Sequence, residues 1–210
     1  MTTTDWTSWH DAYSRPGSGL GDRLVSVRAQ IDRFLETTAP APVRVVSACA
    51  GDGRDLLGVL AERADAARVT ARLVELDADL VAAARSAAAA LPAHVEVVQA
   101  DASRSDAYAG AVPADLVLLC GIFGNISDAD VRVTIRAVAQ LCAPRATVVW
   151  TRHRGEPDLT PSIRAWFADA GFEEIGFTAG EGATWSVGAH RLVAEPQRLQ
   201  RDQAWFTFVR

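Results

Sequence analysis

The segment VRVVSACAGDGRD, at residues 43–55, constrains the fold of this chain more than any other stretch. Its first five residues are mostly apolar and predict a buried strand, and the turn that follows contains Gly51 and Gly53. Asp55 then precedes an apolar run that predicts a helix. A glycine turn between a strand and a helix lets the backbone approach a ligand that a Cβ atom would block. The segment therefore predicts a ligand-binding turn in an α/β fold.

A second predicted strand, with an acidic tip, follows about twenty residues later. This spacing is expected in a Rossmann-type sheet. Its sequence is ARLVELDADL, and it ends in Glu75 and Asp77. An acidic residue at the tip of the second strand is where such a sheet holds the hydroxyls of a ribose. Together, the glycine turn and this acidic tip predict a ligand that contains adenosine.

Two absences narrow the choice of ligand. A dinucleotide fingerprint has a third glycine three residues after the second, and here that position is Leu56. A phosphate-binding loop needs a lysine, whereas all 21 basic residues of this chain are arginines. A ligand without phosphate fits better than a nucleotide, and S-adenosylmethionine (SAM) is the common one.

From residue 43 to about 178 the sequence resembles the class I SAM-dependent methyltransferases. The glycine turn corresponds to the family's first motif, with Ser47 in place of the usual acid and Cys49 in place of the first glycine. The segments VELD, VEVVQADAS and ADLVLLCGIFGNI resemble the second, third and fourth motifs, in the family's order.

The resemblance implies a role for each motif in holding SAM. Glu75 would bind both ribose hydroxyls, Asp101 would face the adenine amino group, and Ala102 the ring nitrogen. The tip of the fourth strand would lie near the methionine part of SAM. The expected cofactor contacts are Ser47, Cys49, Ala50, Gly51, Gly53, Glu75, Leu76, Asp101, Ala102, Cys120 and Gly121.

The predicted fold class is α/β, a Rossmann-like three-layer sandwich. Apolar, β-branched strands near 43–48, 69–75, 95–99, 115–120 and 146–152 alternate with helices, which indicates a parallel sheet covered on both faces. The segment FEEIGF predicts a sixth strand, and AWFTFV near the C-terminus is our prediction for the seventh, with TWSVGAHRLV as the alternative. The family resemblance implies a seven-stranded, mostly parallel sheet with a C-terminal antiparallel hairpin. We expect one domain over 1–210, with residues 1–40 as an N-terminal helical lid.

Charge and composition exclude several classes of protein. The net charge is −5, without a block of like charges, whereas a nucleic-acid binder would show a basic stripe. The sequence has no apolar run of the ~20 residues that span a bilayer and no signal peptide. Its three cysteines lack CxxC spacing, which indicates reduced thiols, and no metal-ligand spacing is evident. We expect a cytoplasmic monomer or homodimer that binds no nucleic acid, membrane or metal.

Methyl transfer from SAM to a small-molecule acceptor, with S-adenosylhomocysteine (SAH) as product, is the predicted reaction. A general base is needed only if the acceptor must lose a proton, and the candidates are His153 first, then His10 and His190 equally, together with Tyr13. Each histidine has the alternative of an ordinary structural or solvated residue. The candidate substrate contacts are Trp9, Phe123, Asn125 and Arg152.

Three of these residues have a second interpretation. Trp9 and Tyr13 would line a lid over the acceptor, or would be the buried stripe of an amphipathic helix. Asn125 would either face the pocket or cap the helix that follows.

Two alternative functions remain at this stage. One is transfer or cyclisation of the aminopropyl or aminocarboxypropyl arm of SAM, since the glycine turn followed by VELD also resembles the polyamine aminopropyltransferases. The fourth strand lacks their acidic tip, however, because it ends in CGIFGN. The other alternative is a SAM-binding protein without catalytic activity, which the departures at Ser47 and Cys49 favour.

Overall fold

A computed structural model describes residues 19–179, 182 and 184–209 of this chain. Five α-helices are found there: α1 (Gly19–Thr38), α2 (Leu56–Glu62), α3 (Ala78–Ala88), α4 (Asp128–Ala137) and α5 (Thr160–Asp169). Seven strands are found as well: β1 (Val43–Ala48), β2 (Val69–Glu75), β3 (His94–Gln99), β4 (Ala114–Leu119), β5 (Cys142–His153), β6 (Phe172–Thr178) and β7 (Trp185–Leu192).

The strands form one sheet in the order β3-β2-β1-β4-β5-β7-β6. The first five are parallel, and β7 lies between β5 and β6, antiparallel to both. This arrangement confirms the predicted fold class, including the antiparallel hairpin. The order reverses at β1, which pairs with β2 on one side and β4 on the other, so a crevice opens beyond the carboxyl ends of these strands.

Alternate residues of each strand pack on opposite faces of the sheet. On β4, Leu116 and Leu118 join the apolar cluster beneath α1, α2 and α3, whereas Val117 and Leu119 join the cluster beneath α4 and α5. The two clusters make the chain a three-layer sandwich with the sheet in the middle. None of the helices in the described ranges is both long and apolar enough to cross a membrane.

The prediction that AWFTFV forms the seventh strand is wrong. Residues 185–192 take that place because they pair on both sides, with β5 and with β6, and most of their side chains are buried. The segment that contains AWFTFV instead crosses the carboxyl edge of the sheet and makes isolated bridges to Arg104 and Ile126. Alternation alone could not separate the two segments, since both are apolar and short.

The local signals at helix ends follow the sequence closely. The Ser127 hydroxyl accepts a hydrogen bond from the Asp130 amide and caps α4, as its spacing predicts. Asp55 caps α2 by accepting from the Leu56 amide at 2.7 Å. In α5, Thr160 is the first helical residue, and Asp158 Oδ1 accepts hydrogen bonds from both its amide and its hydroxyl group.

His190 is buried in an aromatic cluster on the α4 and α5 side of β7. Its ring stacks on Phe167 with 4.4 Å between centroids, and its Nδ1 accepts a hydrogen bond from Trp150 Nε1 at 3.1 Å. Burial lowers the pKa of His190 to about 4, with Arg164 acting in the same direction and Glu174, 3.7 Å from Nε2, opposing it. His190 is therefore a neutral core residue.

We expect the free energy of unfolding to fall as the pH drops from about 6.5 to about 4. In the unfolded chain His190 is protonated below about pH 6.5, whereas in the folded chain it stays neutral down to about pH 4. Neutral His190 therefore contributes about 3 kcal/mol to the free energy of unfolding, and this contribution is complete above about pH 6.5. Urea unfolding of wild type and His190→Gln across this range measures it. His94→Gln, at an exposed position on β3, is the matched control. Equal pH slopes for the wild type and His190→Gln would contradict the assignment.

Candidate functional site

A cavity of about 450 Å³ lies beyond the carboxyl ends of β1, β2, β3 and β4, at the point where the strand order reverses. This volume is typical of small-molecule sites. Nine of the eleven residues expected to contact a cofactor line it: Cys49, Ala50, Gly51, Glu75, Leu76, Asp101, Ala102, Cys120 and Gly121. Topology thus brings together residues that are up to 72 positions apart in the sequence.

The turn after β1 has three consecutive odd-numbered residues with positive φ: Cys49 at 52°, Gly51 at 59° and Gly53 at 74°. Gly51 faces the cavity, but Gly53 does not line it. A Cβ atom on Gly53 would lie 2.7 Å from both Leu57 Cδ1 and Leu73 Cδ2. Gly53 therefore serves the close packing of α2 on the sheet, the role that the third glycine has in a dinucleotide fingerprint.

Ser47, the other expected contact that lies away from the cavity, is 1% exposed within β1. It pairs with β2 on one side and β4 on the other. Its place is structural, because a small side chain fits at a position that is covered on both faces of the sheet.

We predict that Gly53→Ala destabilises the fold more than Gly110→Ala. Both glycines have positive φ, at 74° and 83°, but a Cβ at Gly110 would meet nothing within 4 Å. Gly110→Ala should cost only the backbone strain, about 1 kcal/mol, whereas Gly53→Ala adds about 1–3 kcal/mol of overpacking. Equal losses in urea unfolding would mean that α2 moves away freely and that Gly53 is not needed for packing.

The Glu75 carboxylate joins the turn after β1 to the end of β2. Oε2 accepts from the Gly51 amide at 2.8 Å, while Oε1 accepts from the amides of Leu76 at 2.8 Å and Asp77 at 3.0 Å. An ionised carboxylate has about four acceptor positions, so Oε2 can accept a further donor from a ligand. Asp77, in contrast, accepts from two amides at the start of α3 and is its N-cap. Glu75 is thus the acid that is both fixed and turned to the cavity.

Hydrogen bonds between side chains and backbone groups hold the turns after β3 and β4 in place. Asp101 accepts from the Ser103 amide at 2.8 Å. The Gly121 amide donates to Thr151 Oγ1 at 2.8 Å, and its carbonyl accepts from Asn125 Nδ2 at 2.7 Å. Asn125 thus holds the turn after β4; it neither lines the cavity nor caps α4, which Ser127 does.

Acidic groups outnumber basic groups around the cavity. Its lining includes five carboxylates and the two guanidinium groups of Arg23 and Arg54, and Arg54 pairs with Asp52. Burial raises the pKa of Asp55 above its usual value. This balance suits a ligand that carries positive charge and is unfavourable for phosphate groups.

The surroundings of the cavity thiols favour their neutral form. Burial raises the pKa of Cys49 and of Cys120 well above the usual value, and the nearby carboxylates of Glu75 and Asp101 add to the effect at Cys49. Since the thiolate is the nucleophilic form, we infer that both cysteines pack as small neutral groups.

Besides Asn125, three of the residues expected to touch the acceptor or act as the base do not line the cavity. Phe123 is 0% exposed and packs against Trp150 and Phe167. The Arg152 side chain is buried and donates to the Phe123 carbonyl. His153 Nδ1 accepts from the Gly155 amide at 3.3 Å.

The alternation of β5 explains the position of Arg152. Arg152 lies on the same face as Val148 and Trp150, which pack beneath α4 and α5. Thr151, one position earlier, points to the opposite face and lines the cavity. Trp9, His10 and Tyr13 lie outside the described residues.

Sequence reasoning missed two groups of cavity residues. The first group is on one face of α1, at positions i, i+1 and i+4, where the amphipathic pattern predicts only core residues. The second group lies in the segment that follows β7. They are Arg23, Leu24 and Val27, and Phe206, Thr207 and Phe208. The apolar pattern of AWFTFV was the available signal for the second group, but it equally predicts a strand.

Comparison with solved structures gives the fold a name. Magnesium protoporphyrin IX methyltransferase (ChlM) from Synechocystis PCC 6803, solved with bound SAM, has a TM-score of 0.70 at 14% identity, with 90% of this chain and 92% of that chain covered. The chain has the class I SAM-dependent methyltransferase fold.

Other structures with this methyltransferase fold carry different names. An O-methyltransferase family protein from Burkholderia thailandensis has a TM-score of 0.63 at 20% identity over 85% of this chain and 58% of that chain. The [4+2]-cyclase SpnF has a TM-score of 0.58 at 14% identity over 79% of this chain and 80% of that one. No protein-family model and no curated protein matches the sequence.

We expect Glu75→Gln to weaken SAH binding about 10- to 100-fold, as for the loss of hydrogen bonds to a charged partner. Glutamine has a single acceptor oxygen, so it cannot accept from the Leu76 and Asp77 amides on one side and from Gly51 and a ribose hydroxyl on the other. Calorimetric titration with SAH measures the change, and Glu96→Gln, an exposed acid on β3, is the control. Unchanged affinity in Glu75→Gln would remove Glu75 from the ribose site.

Proposed function

We propose that this protein binds SAM and transfers its methyl group to a small-molecule acceptor. The observation that carries the proposal is the Glu75 carboxylate, fixed by three backbone amides at the mouth of the crevice where the strand order reverses. The methyltransferase fold and the four motifs around the same cavity support it.

In this proposal the cofactor extends along the edge of the sheet. The ribose lies on Glu75, the adenine beside Asp101 and Ala102, and the methionine part near Cys120 and Gly121. Arg23 and Asp55 are both close enough to Cys120 to influence its pKa. The Arg23 guanidinium complements the carboxylate of a methionine moiety, and the Asp55 side chain offers an oxygen acceptor to its ammonium group. Excess acid in the lining favours a sulfonium over a nucleotide.

The chemistry requires mainly positioning. The sulfonium supplies an activated methyl group, and the protein accelerates its displacement by holding acceptor, methyl carbon and sulfur in line. The half-buried thiols of Cys49 and Cys120 have raised pKa values and do not compete as nucleophiles. His153, Arg152 and Phe123 lie off the cavity wall, so we assign the acceptor no base among them. His10 and Tyr13 remain candidates from the N-terminal segment.

We further propose a small acceptor, handled by a single domain in which residues 1–40 form the lid. The negative net charge disfavours a nucleic-acid substrate. A cytoplasmic location, a monomeric or homodimeric state, and a role in secondary metabolism belong to the same proposal.

A second candidate is a reaction that uses the same site without methyl transfer. The similarity to a [4+2]-cyclase favours it, as does the distance of the expected base and substrate residues from the cavity wall. Transfer or cyclisation of the alkyl arm of SAM would belong to this class.

Parallel calorimetric titrations with SAM, SAH, methylthioadenosine and NAD test the cofactor. We expect SAM and SAH to bind at least about 10-fold more tightly than the other two, a difference of ~1.4 kcal/mol. Preference for methylthioadenosine would instead indicate alkyl-arm chemistry. Binding of none of the four would overturn the proposal.

Incubation with methyl-labelled SAM and a cell extract tests the reaction. We expect label in the small-molecule fraction and not in RNA or protein, and its loss in Glu75→Gln. Label in RNA or protein would contradict the acceptor class, and SAM binding without any transfer of label would favour the second candidate.

A further inference from the structure

Residues 203–209, which we call the strap, follow β7 and cross the carboxyl edge of the sheet. At one end the strap pairs antiparallel with the loop after β3: the Ser105 amide donates to the Gln203 carbonyl at 3.1 Å, and the Trp205 amide donates to the Ser103 carbonyl at 3.0 Å. At the other end the Val209 amide donates to the Asn125 carbonyl at 2.9 Å. The strap therefore joins the loops that follow β3 and β4.

Side-chain packing holds the strap in one position. Trp205 is 6% exposed and stacks on Tyr108 at 5.6 Å with an interplanar angle of 8°. The Tyr108 hydroxyl in turn donates to the Ala102 carbonyl at 2.6 Å. Since Ala102 lines the cavity, the anchor of the strap lies directly behind the cavity wall.

Three consecutive residues of the strap line the cavity: Phe206, Thr207 and Phe208. The two rings meet edge to face, 5.5 Å apart and at 80°, so they form one aromatic wall. The bridge between Ala204 and Arg104 sets the register, and continuing it by two residues places Phe206 opposite Ala102.

Two large apolar side chains remain exposed at this cavity. Leu76 is 64% exposed and Phe208 is 40% exposed, and both line the cavity wall. Exposed apolar surface at the mouth of a ligand cavity is typical of a site that a flat apolar ligand group covers. An adenine ring has this character, and aromatic side chains bind bases by stacking.

We propose that the strap is a cofactor-binding element in which Phe206 and Phe208 cover the adenosine part of SAM. The inference rests on the proposed function. It assigns the strap to the adenosine end because its paired backbone hydrogen bonds and the register of Phe206 attach that part of it to the loop containing Asp101, Ala102 and Ser103. Phe208 bridges Ile126 in the loop after β4 and reaches the adenosine side through its ring contact with Phe206.

The test compares two neighbouring variants, Phe208→Ala and Val209→Ala. Val209 is 62% exposed but does not line the cavity. The hydrogen bond from its backbone amide to the Asn125 carbonyl is retained in the alanine variant. Calorimetric titrations use SAH and methylthioadenosine, because both carry adenosine and only SAH carries the amino-acid arm. Circular dichroism and thermal melting establish that each variant is folded.

We expect Phe208→Ala to weaken both probes by the same factor, about 10-fold, within the range known for base–aromatic stacking. Phe208→Leu should be intermediate, and Val209→Ala should match the wild type. Equal affinities in Phe208→Ala and Val209→Ala would overturn the inference and leave the proposed function intact. A loss confined to SAH would overturn it as well, by moving the strap to the amino-acid arm. If the wild type bound neither probe, the proposed function would fail together with the inference.

Discussion

The position of β1 between β2 and β4 is the constraint on which the rest of the site depends. Because the chain moves outward from β1 in both directions, the helices on the two sides of this point cover opposite faces of the sheet, and a crevice remains open at its carboxyl edge. The Glu75 carboxylate then joins the turn after β1 to the end of β2. A single acid thus has a structural part in the turn and a free acceptor position facing the cavity.

One arginine holds helix α1 beside the same crevice. Arg28 donates two hydrogen bonds to the Arg54 carbonyl, at 3.0 and 2.6 Å, and so anchors α1 to the glycine turn. In this position its guanidinium group packs directly on Gly58, since a Cβ there would lie 2.2 Å from Arg28 Nη2 and the arginine would have to shift. This contact brings Arg23, Leu24 and Val27 over the cavity. The proposed charge complement to the methionine moiety depends on it, since Arg23 is carried by α1.

The far side of the sheet serves stability. Trp150, Phe167 and His190 pack there with Phe123, and Gly188 admits the indole of Trp150, because a Cβ at Gly188 would lie 2.2 Å from its Cε2 atom. The aromatic cluster takes up Phe123, which motif reasoning assigned to the acceptor, and Arg152 donates to the Phe123 carbonyl. The cavity receives the remaining β5 side chain at this level, Thr151.

The sequence by itself determined the α/β class, the positions of β1 to β6 and the four strand tips that meet at the cavity. These features depend on local pattern: buried β-branched runs, a glycine turn, a capping serine and an acid at a strand end. Tertiary structure decided which of two apolar segments became β7, which β5 side chains face the cavity, and that the strap covers its rim. Local pattern cannot decide these points, because a short apolar run is satisfied equally by a strand partner or by a cavity wall. The choice depends on which neighbours offer backbone hydrogen bonds and buried apolar surface in three dimensions.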